Sequence, residues 1–178
     1  MTINVFLDTE FTSLEAEACL ISIGLITEDS DRYFYAELTD TYSEGTCTDF
    51  VIEEVLSLLD AKPLIEPLDY KNVYAQMALS EVQSHLQHWF AALIDPVQIW
   101  SDSPNHDWRY ILQIFGSAGL PYNLLPMPKS LLDGNASSNA KYENRVEQEY
   151  SEKILKRHHA LDDAKAMRLG WQAIKNLK

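Results

Sequence analysis

Asp8 and Glu10 close a short apolar run, Val5-Phe6-Leu7-Asp8-Thr9-Glu10-Phe11. Such a run predicts a buried strand. Residues two apart on a strand share a face, so both carboxylates project together from its end while Thr9 points to the other side. Two anions that close repel unless a cation lies between them. A pair of hard oxygen ligands suits Mg²⁺ or Mn²⁺ better than zinc, which is how a metal-dependent phosphoryl-transfer site begins. The commoner fate of an Asp-x-Glu pair is a solvated loop, so the remaining ligands must be found elsewhere in the chain.

Three further places offer them. Asp107 follows Trp100-Ser101-Asp102-Ser103-Pro104-Asn105-His106 and opens a predicted helix; an N-cap role would also explain it, and Asp102 competes with it as a turn residue. Asp163 lies in His158-His159-Ala160-Leu161-Asp162-Asp163-Ala164, in the first turn of the last predicted helix, where the helix dipole alone favours an acid. His158 stands five residues before it on the entering loop, with His159 beside it.

The elements that must position these residues begin as strands at 3–8, 19–27 and 32–38, the second separated from the third by the polar turn Glu28-Asp29-Ser30-Asp31. Asp49 is a candidate cap for a helix with Val51, Val55, Leu58 and Leu59 on one stripe. Residues 62–74 carry Pro63 and Pro67 and read as an irregular connection. Ser80-Glu81-Val82-Gln83 fits a capping box before a helix with Leu79, Val82, Leu86, Phe90 and Leu93 on one face. A fourth strand is expected at 97–100, a helix at 107–115 stopped by Gly116 and Gly119, and a short fifth strand at 129–132. Residues 135–157 are polar, without a sustained apolar period, and predict either an exposed helix or a mobile arm. The last helix, from about 160 to 177, buries Ala160, Ala164, Met167, Trp171 and Ile174. The order predicts an α/β fold: one mixed sheet of about five strands flanked by helices.

At 178 residues the chain is expected to be one domain, 1–178, large enough to bury about 70% of its unfolded surface without staples. It has no long apolar run, which excludes a transmembrane helix, and its start, Met1-Thr2-Ile3-Asn4, lacks the basic region of a signal peptide. Two cysteines, Cys19 and Cys47, outside any paired metal-ligand spacing, fit a reduced, cytoplasmic setting. The net charge of −13 argues at face value against nucleic acid. Its distribution is uneven. Residues 1–60 hold 14 acids and one base, Arg32, whereas residues 129–178 hold seven acids and ten bases.

A carboxylate pair on the first strand, an Asp after the fourth, and His-x-Ala-x-x-Asp opening the last helix form one ordered constellation. It resembles the DEDDh 3′–5′ exonuclease superfamily, which has a ribonuclease H-like fold and includes ribonuclease T, oligoribonuclease and polymerase proofreading subunits. The motifs are Phe6-Leu7-Asp8-Thr9-Glu10-Phe11, then His106-Asp107-Trp108-Arg109-Tyr110-Ile111, similar in shape to the oligoribonuclease version, and His158 to Ala164. The Asn-x-x-Phe-Asp pattern of many members is absent. Phe11 stands where many relatives continue Thr-Thr-Gly, and here resembles a bacterial and phage subgroup of compact exoribonucleases. The sister DEDDy group places a Tyr in the slot that His159 fills.

The resemblance implies two Mg²⁺ or Mn²⁺ ions per site, about 3.5–4 Å apart. Asp8 would bridge them, Glu10 and Asp163 would hold the ion of the attacking water, Asp107 would support the second, and His158 would be the general base. The implied reaction releases 5′-nucleoside monophosphates from 3′ ends of single-stranded RNA, or of DNA in the nearest alternative. Phe11 is placed to stack on the terminal base. Arg157, with Lys153, Lys156, Lys165 and Arg168, could follow the phosphate backbone. Dimers are frequent among relatives, where one subunit can lend basic residues to the other's site. Two readings from other classes are a non-catalytic ribonuclease H-like binding module and a phosphohydrolase of small molecules.

Overall fold

The computed structural model describes residues 1–132 and 134–175. Six strands form one mixed sheet in the order β4-β3-β2-β1-β5-β6: β1 (Ile3–Phe11), β2 (Leu20–Thr27), β3 (Tyr33–Leu38), β4 (Asn72–Met77), β5 (Val97–Ser101) and β6 (Lys129–Ser130). β1 is central, antiparallel to β2 and parallel to β5. Four α-helices flank the sheet: α1 (Leu79–Ala91), α2 (Pro104–Phe115), α3 (Ala136–Ser151) and α4 (Ala160–Ile174). The α/β class and the helix-flanked mixed sheet agree with the sequence. Among the described residues no helix is long and apolar enough to cross a membrane.

Strand alternation sorts β1 into two faces. Val5 and Leu7 join the larger core with α1 and α2. Phe6 joins a second core with Tyr142 of α3 and Ala164, Met167, Trp171 and Ile174 of α4. Asp8 and Glu10 continue the Phe6 face, toward α4. That helix lies close because Gly24 of β2, paired with Asp8, has no side chain. A Cβ at Gly24 would come within 2.4 Å of the Ala160 carbonyl carbon. α3 in turn packs on α4 at Gly170, where a Cβ would meet the Tyr142 ring at 2.6 Å.

Several local expectations are corrected. β4 lies inside and beyond the segment expected to be irregular; Val73, Ala75 and Met77 alternate inward and join the core, and Pro63 and Pro67 fall outside the strand. The segment after Asp49 is not an α-helix but a π-helical turn, Val51–Val55, followed by a 3₁₀ turn, Leu56–Leu58. Its start is held by Thr48, whose hydroxyl accepts the Val51 N–H at 3.3 Å, rather than by Asp49. α1 is capped at Ala78, two residues before the expected cap Ser80, with the Glu81 carboxylate accepting the Ala78 N–H at 2.8 Å. Of residues 135–157, Ala136–Ser151 form α3, capped by Asn135, whose side chain accepts from the Ser137 and Ser138 N–H groups, and 152–157 are a connection of turns and bends. Tyr142 buries one face of this helix. Leu177, the expected end of α4, lies outside the described residues.

Candidate metal centre

Asp8 and Glu10 sit at the floor of a cleft of about 340 Å³ whose wall also includes Asp102, Asp107, His158 and Asp163. The five acids and His158 fall into two trios. Asp8, Asp102 and Asp107 bring ligand atoms within 4.8 Å of one another, and so do Glu10, His158 and Asp163. Asp102 therefore accompanies Asp107 rather than replacing it.

Asp107 is not a cap. α2 starts at Pro104, pre-set for a first helical position, with Ser103 before it. This places Asp107 one turn into the helix and 2% exposed. Its Oδ1 accepts both the Thr9 hydroxyl (2.7 Å) and the Thr9 N–H (3.1 Å), and its Oδ2 accepts the Ser101 hydroxyl. Thr9 points away from Asp8 and so anchors the acid that reaches around from α2. Asp163 is fixed equally well: Oδ1 accepts the Tyr150 hydroxyl and Oδ2 the His158 N–H at 2.9 Å. Asp8 differs. Its Oδ2 is buried and has no hydrogen-bond partner, which is costly for a charged oxygen unless something else satisfies it.

The two histidines part company. His158 adopts a left-handed backbone, φ 65°, and its ring lines the cleft with Phe50 edge-on at 5.1 Å. Strained residues of this kind cluster at functional sites. His159 is 4% exposed. Its ring stacks on Tyr35 at 4.5 Å, its Nε2 lies 3.2 Å from the Tyr74 hydroxyl, and its Nδ1 accepts the Asp162 N–H at the start of α4. His159 is thus a buried cap.

Crowding and burial leave the acids reluctant to ionise together. Burial, then the charges of Asp163, Asp107, Glu10 and Asp102, raises Asp8 well above the ordinary carboxylate range. Burial, then Asp163, pushes Glu10 up to about 9. Burial lifts Asp107 to about 7 against the opposing hydrogen bonds from Ser101 and Thr9, and Asp163 to about 7 against those from Tyr150 and His158. Asp102 is also raised by burial. His158 is lowered, first by burial and then by the Arg157 charge, so it is neutral near pH 7. The donor set, carboxylate oxygens with one imidazole, fits a hard divalent cation, which would neutralise the crowding and satisfy Asp8.

Phe11 forms the wall between this cleft and an apolar trough of about 620 Å³ that Leu14, Phe50, Val51 and Val55 also line. It packs against Tyr110 at 5.6 Å, with the Arg109 guanidinium 5.3 Å from its ring, so it is both a partly buried core residue and a cleft residue. Arg157 lines the cleft, stacked over Tyr150 at 4.4 Å and paired with Glu147 at 2.5 Å. The rest of the basic edge is largely engaged within the protein: Lys156 with Asp60, Lys165 with Asp162, and Arg168 with the Glu28 carbonyl. The sequence reading missed Tyr150, Tyr142, Leu14 and Phe50. The fourfold spacing Tyr142, Val146, Tyr150 was the available signal for α3. Compared with known proteins, the chain matches no protein-family model and no curated protein.

Proposed function

We propose that this chain is a metal-dependent 3′–5′ exonuclease of the DEDDh kind, removing 5′-nucleoside monophosphates from single-stranded RNA in preference to DNA. The observation that carries the reading is the convergence of five carboxylates and one half-buried histidine in a single cleft, with the Asp8 Oδ2 unsatisfied. Asp8, Asp102 and Asp107 would hold one Mg²⁺ or Mn²⁺, and Glu10 and Asp163 a second, with Asp8 shared. When bound, the ions would stabilise charge on the attacking and leaving oxygens and lower the pKa of the nucleophilic water. His158, whose pKa burial lowers, would take that water's proton. Phe11 offers a ring face to the terminal base beside an apolar trough, and Arg157 offers a cleft-lining guanidinium to a phosphate. A reduced, cytoplasmic setting suits the two free thiols.

The test is degradation of a short 5′-labelled single-stranded RNA and its DNA match, with Mg²⁺, Mn²⁺ or EDTA, beside Asp8→Ala. A ladder shortening from the 3′ end, dependent on metal and absent in the variant, is expected, with RNA the faster strand. No cleavage of either strand in any metal would overturn the reading and turn the search to small phosphate esters or to binding alone.

A further inference from the structure

α3 reaches the metal centre with two phenols. Tyr142, Val146 and Tyr150 are spaced four apart and so lie on one helix face. Val146 and Tyr150 line the acidic cleft. The Tyr150 hydroxyl donates to Asp163 Oδ1, in the trio with Glu10 and His158. Eight residues earlier, the Tyr142 hydroxyl lies 3.5 Å from Asp102 Oδ2, in the trio with Asp8 and Asp107. Each half of the site thus has one phenol from the same helix. A carboxylate carries about four lone-pair directions on its two oxygens. On Asp163 the Tyr150 O–H and the His158 N–H occupy one on each oxygen, which fixes the carboxylate's rotation and leaves the others for a cation.

Resting on the metal-centre reading above, we propose that Tyr150 is a positioning residue of that centre: its hydroxyl orients the Asp163 carboxylate for cation binding, and Tyr142 does the same more weakly for Asp102. The shorter contact of Tyr150 and its place in the cleft wall set the ranking. Arg157 reinforces it, because the guanidinium stacked on the Tyr150 ring is tethered by Glu147 on α3 itself. Groups that hydrogen-bond a metal's ligands hold them in register, and their loss costs about 10–100-fold in metal affinity or activity.

The experiment is Mn²⁺ binding to the full chain by isothermal titration calorimetry, for the natural sequence and for Tyr150→Phe, Tyr142→Phe and Gln148→Ala. Phenylalanine removes only the hydroxyl and keeps the ring under Arg157; Gln148 is exposed on the same helix and reports general disturbance of α3. Tyr150→Phe is expected to weaken Mn²⁺ binding about 10–100-fold, Tyr142→Phe less, and Gln148→Ala not at all. Unchanged affinity in Tyr150→Phe overturns the proposal, as does equal weakening by Gln148→Ala or failure of the natural chain to bind Mn²⁺. The exonuclease reading fails separately: a chain that binds Mn²⁺ through Tyr150 yet shortens neither RNA nor DNA keeps this inference and loses that one.

Discussion

Asp8 carries the strongest conflict between stability and function. Its Oδ2 is buried without a donor, and four other carboxylates press on it. Replacing it with Asn removes the charge at nearly constant volume. Asp8→Asn should raise the melting temperature of the metal-free protein by at least about 2–4 °C, which corresponds to about 1 kcal/mol at this chain length, and should abolish both turnover and the stabilisation by Mg²⁺. Thermal melts with EDTA and with Mg²⁺ check both halves; a destabilised Asp8→Asn would mean the carboxylate is held by favourable contacts and not by an absent cation. The paired histidines make the opposite contrast. His158→Ala should lower turnover about 10²–10⁴-fold, the range for loss of a general base, with an unchanged melting temperature. His159→Ala deletes a buried stacked ring and a cap, so it should cost about 2–4 kcal/mol of stability in denaturant titration. Reversal of the two results would move the proton acceptor to His159.

What positions these residues is the close approach of α4 to the sheet, and that approach depends on Gly24. Any side chain there meets the Ala160 backbone and not a flexible side-chain end, so α4 itself must shift. Gly24→Ala should destabilise by about 1–3 kcal/mol, as overpacking does, and should lower activity in the folded fraction, because Asp163 and His158 ride on the start of α4. Full activity with normal stability would show that the helix can slide without loss. The strands and helices whose signal is local burial were legible from the sequence: β1, β2, β3, β5 and α4 follow their apolar patterns. β4 was not, because the prolines before it masked the alternation of Val73, Ala75 and Met77. The face of α3 was not, because its contacts are made by tyrosines, whose rings bury while their hydroxyls stay polar. Asp8, Glu10 and Asp163 were legible by spacing, whereas the joint presence of Asp102 and Asp107 was not, since it follows from where α2 starts, at Pro104. His158 was chosen over His159 only through its slot in the resembled motif, since the left-handed backbone turn at His158 is announced by no side-chain pattern.

Across the whole molecule the acids make stability depend on pH in a direction that ordinary surface carboxylates do not. Unfolded Asp and Glu titrate near pH 4, so by pH 6.5 the exposed acids behind the −13 net charge are already ionised in both states. The site acids are not: Asp107 and Asp163 titrate at about 7 and Glu10 at about 9. A raised folded-state pKa contributes stability that is fully present below the unfolded pKa and is lost as pH rises through the folded value. His158 and His159 are shifted the other way; an unfolded imidazole still holds about half a proton at pH 6.5 and loses it within about one unit, so the two add only a small opposing slope at the start of this window. Between pH 6.5 and 9 the metal-free protein should therefore lose stability. One retained proton corresponds to about 1.4 kcal/mol per pH unit, about 3.5 kcal/mol across the window, which gives a fall in melting temperature of about 7–14 °C. Mg²⁺ should stabilise the protein at every pH by binding the folded state alone, and should do so more at pH 9 than at pH 6.5, because a cation competes with protons for the same oxygens. Scanning calorimetry in EDTA and in millimolar Mg²⁺ across that window measures both slopes. A melting temperature that stays flat in EDTA would mean the five acids ionise without cost in an open, water-filled cleft, and the physical case for a cation between them would be lost. A falling baseline that Mg²⁺ restores most strongly at high pH ties the burial of these acids to the metal that their arrangement fits.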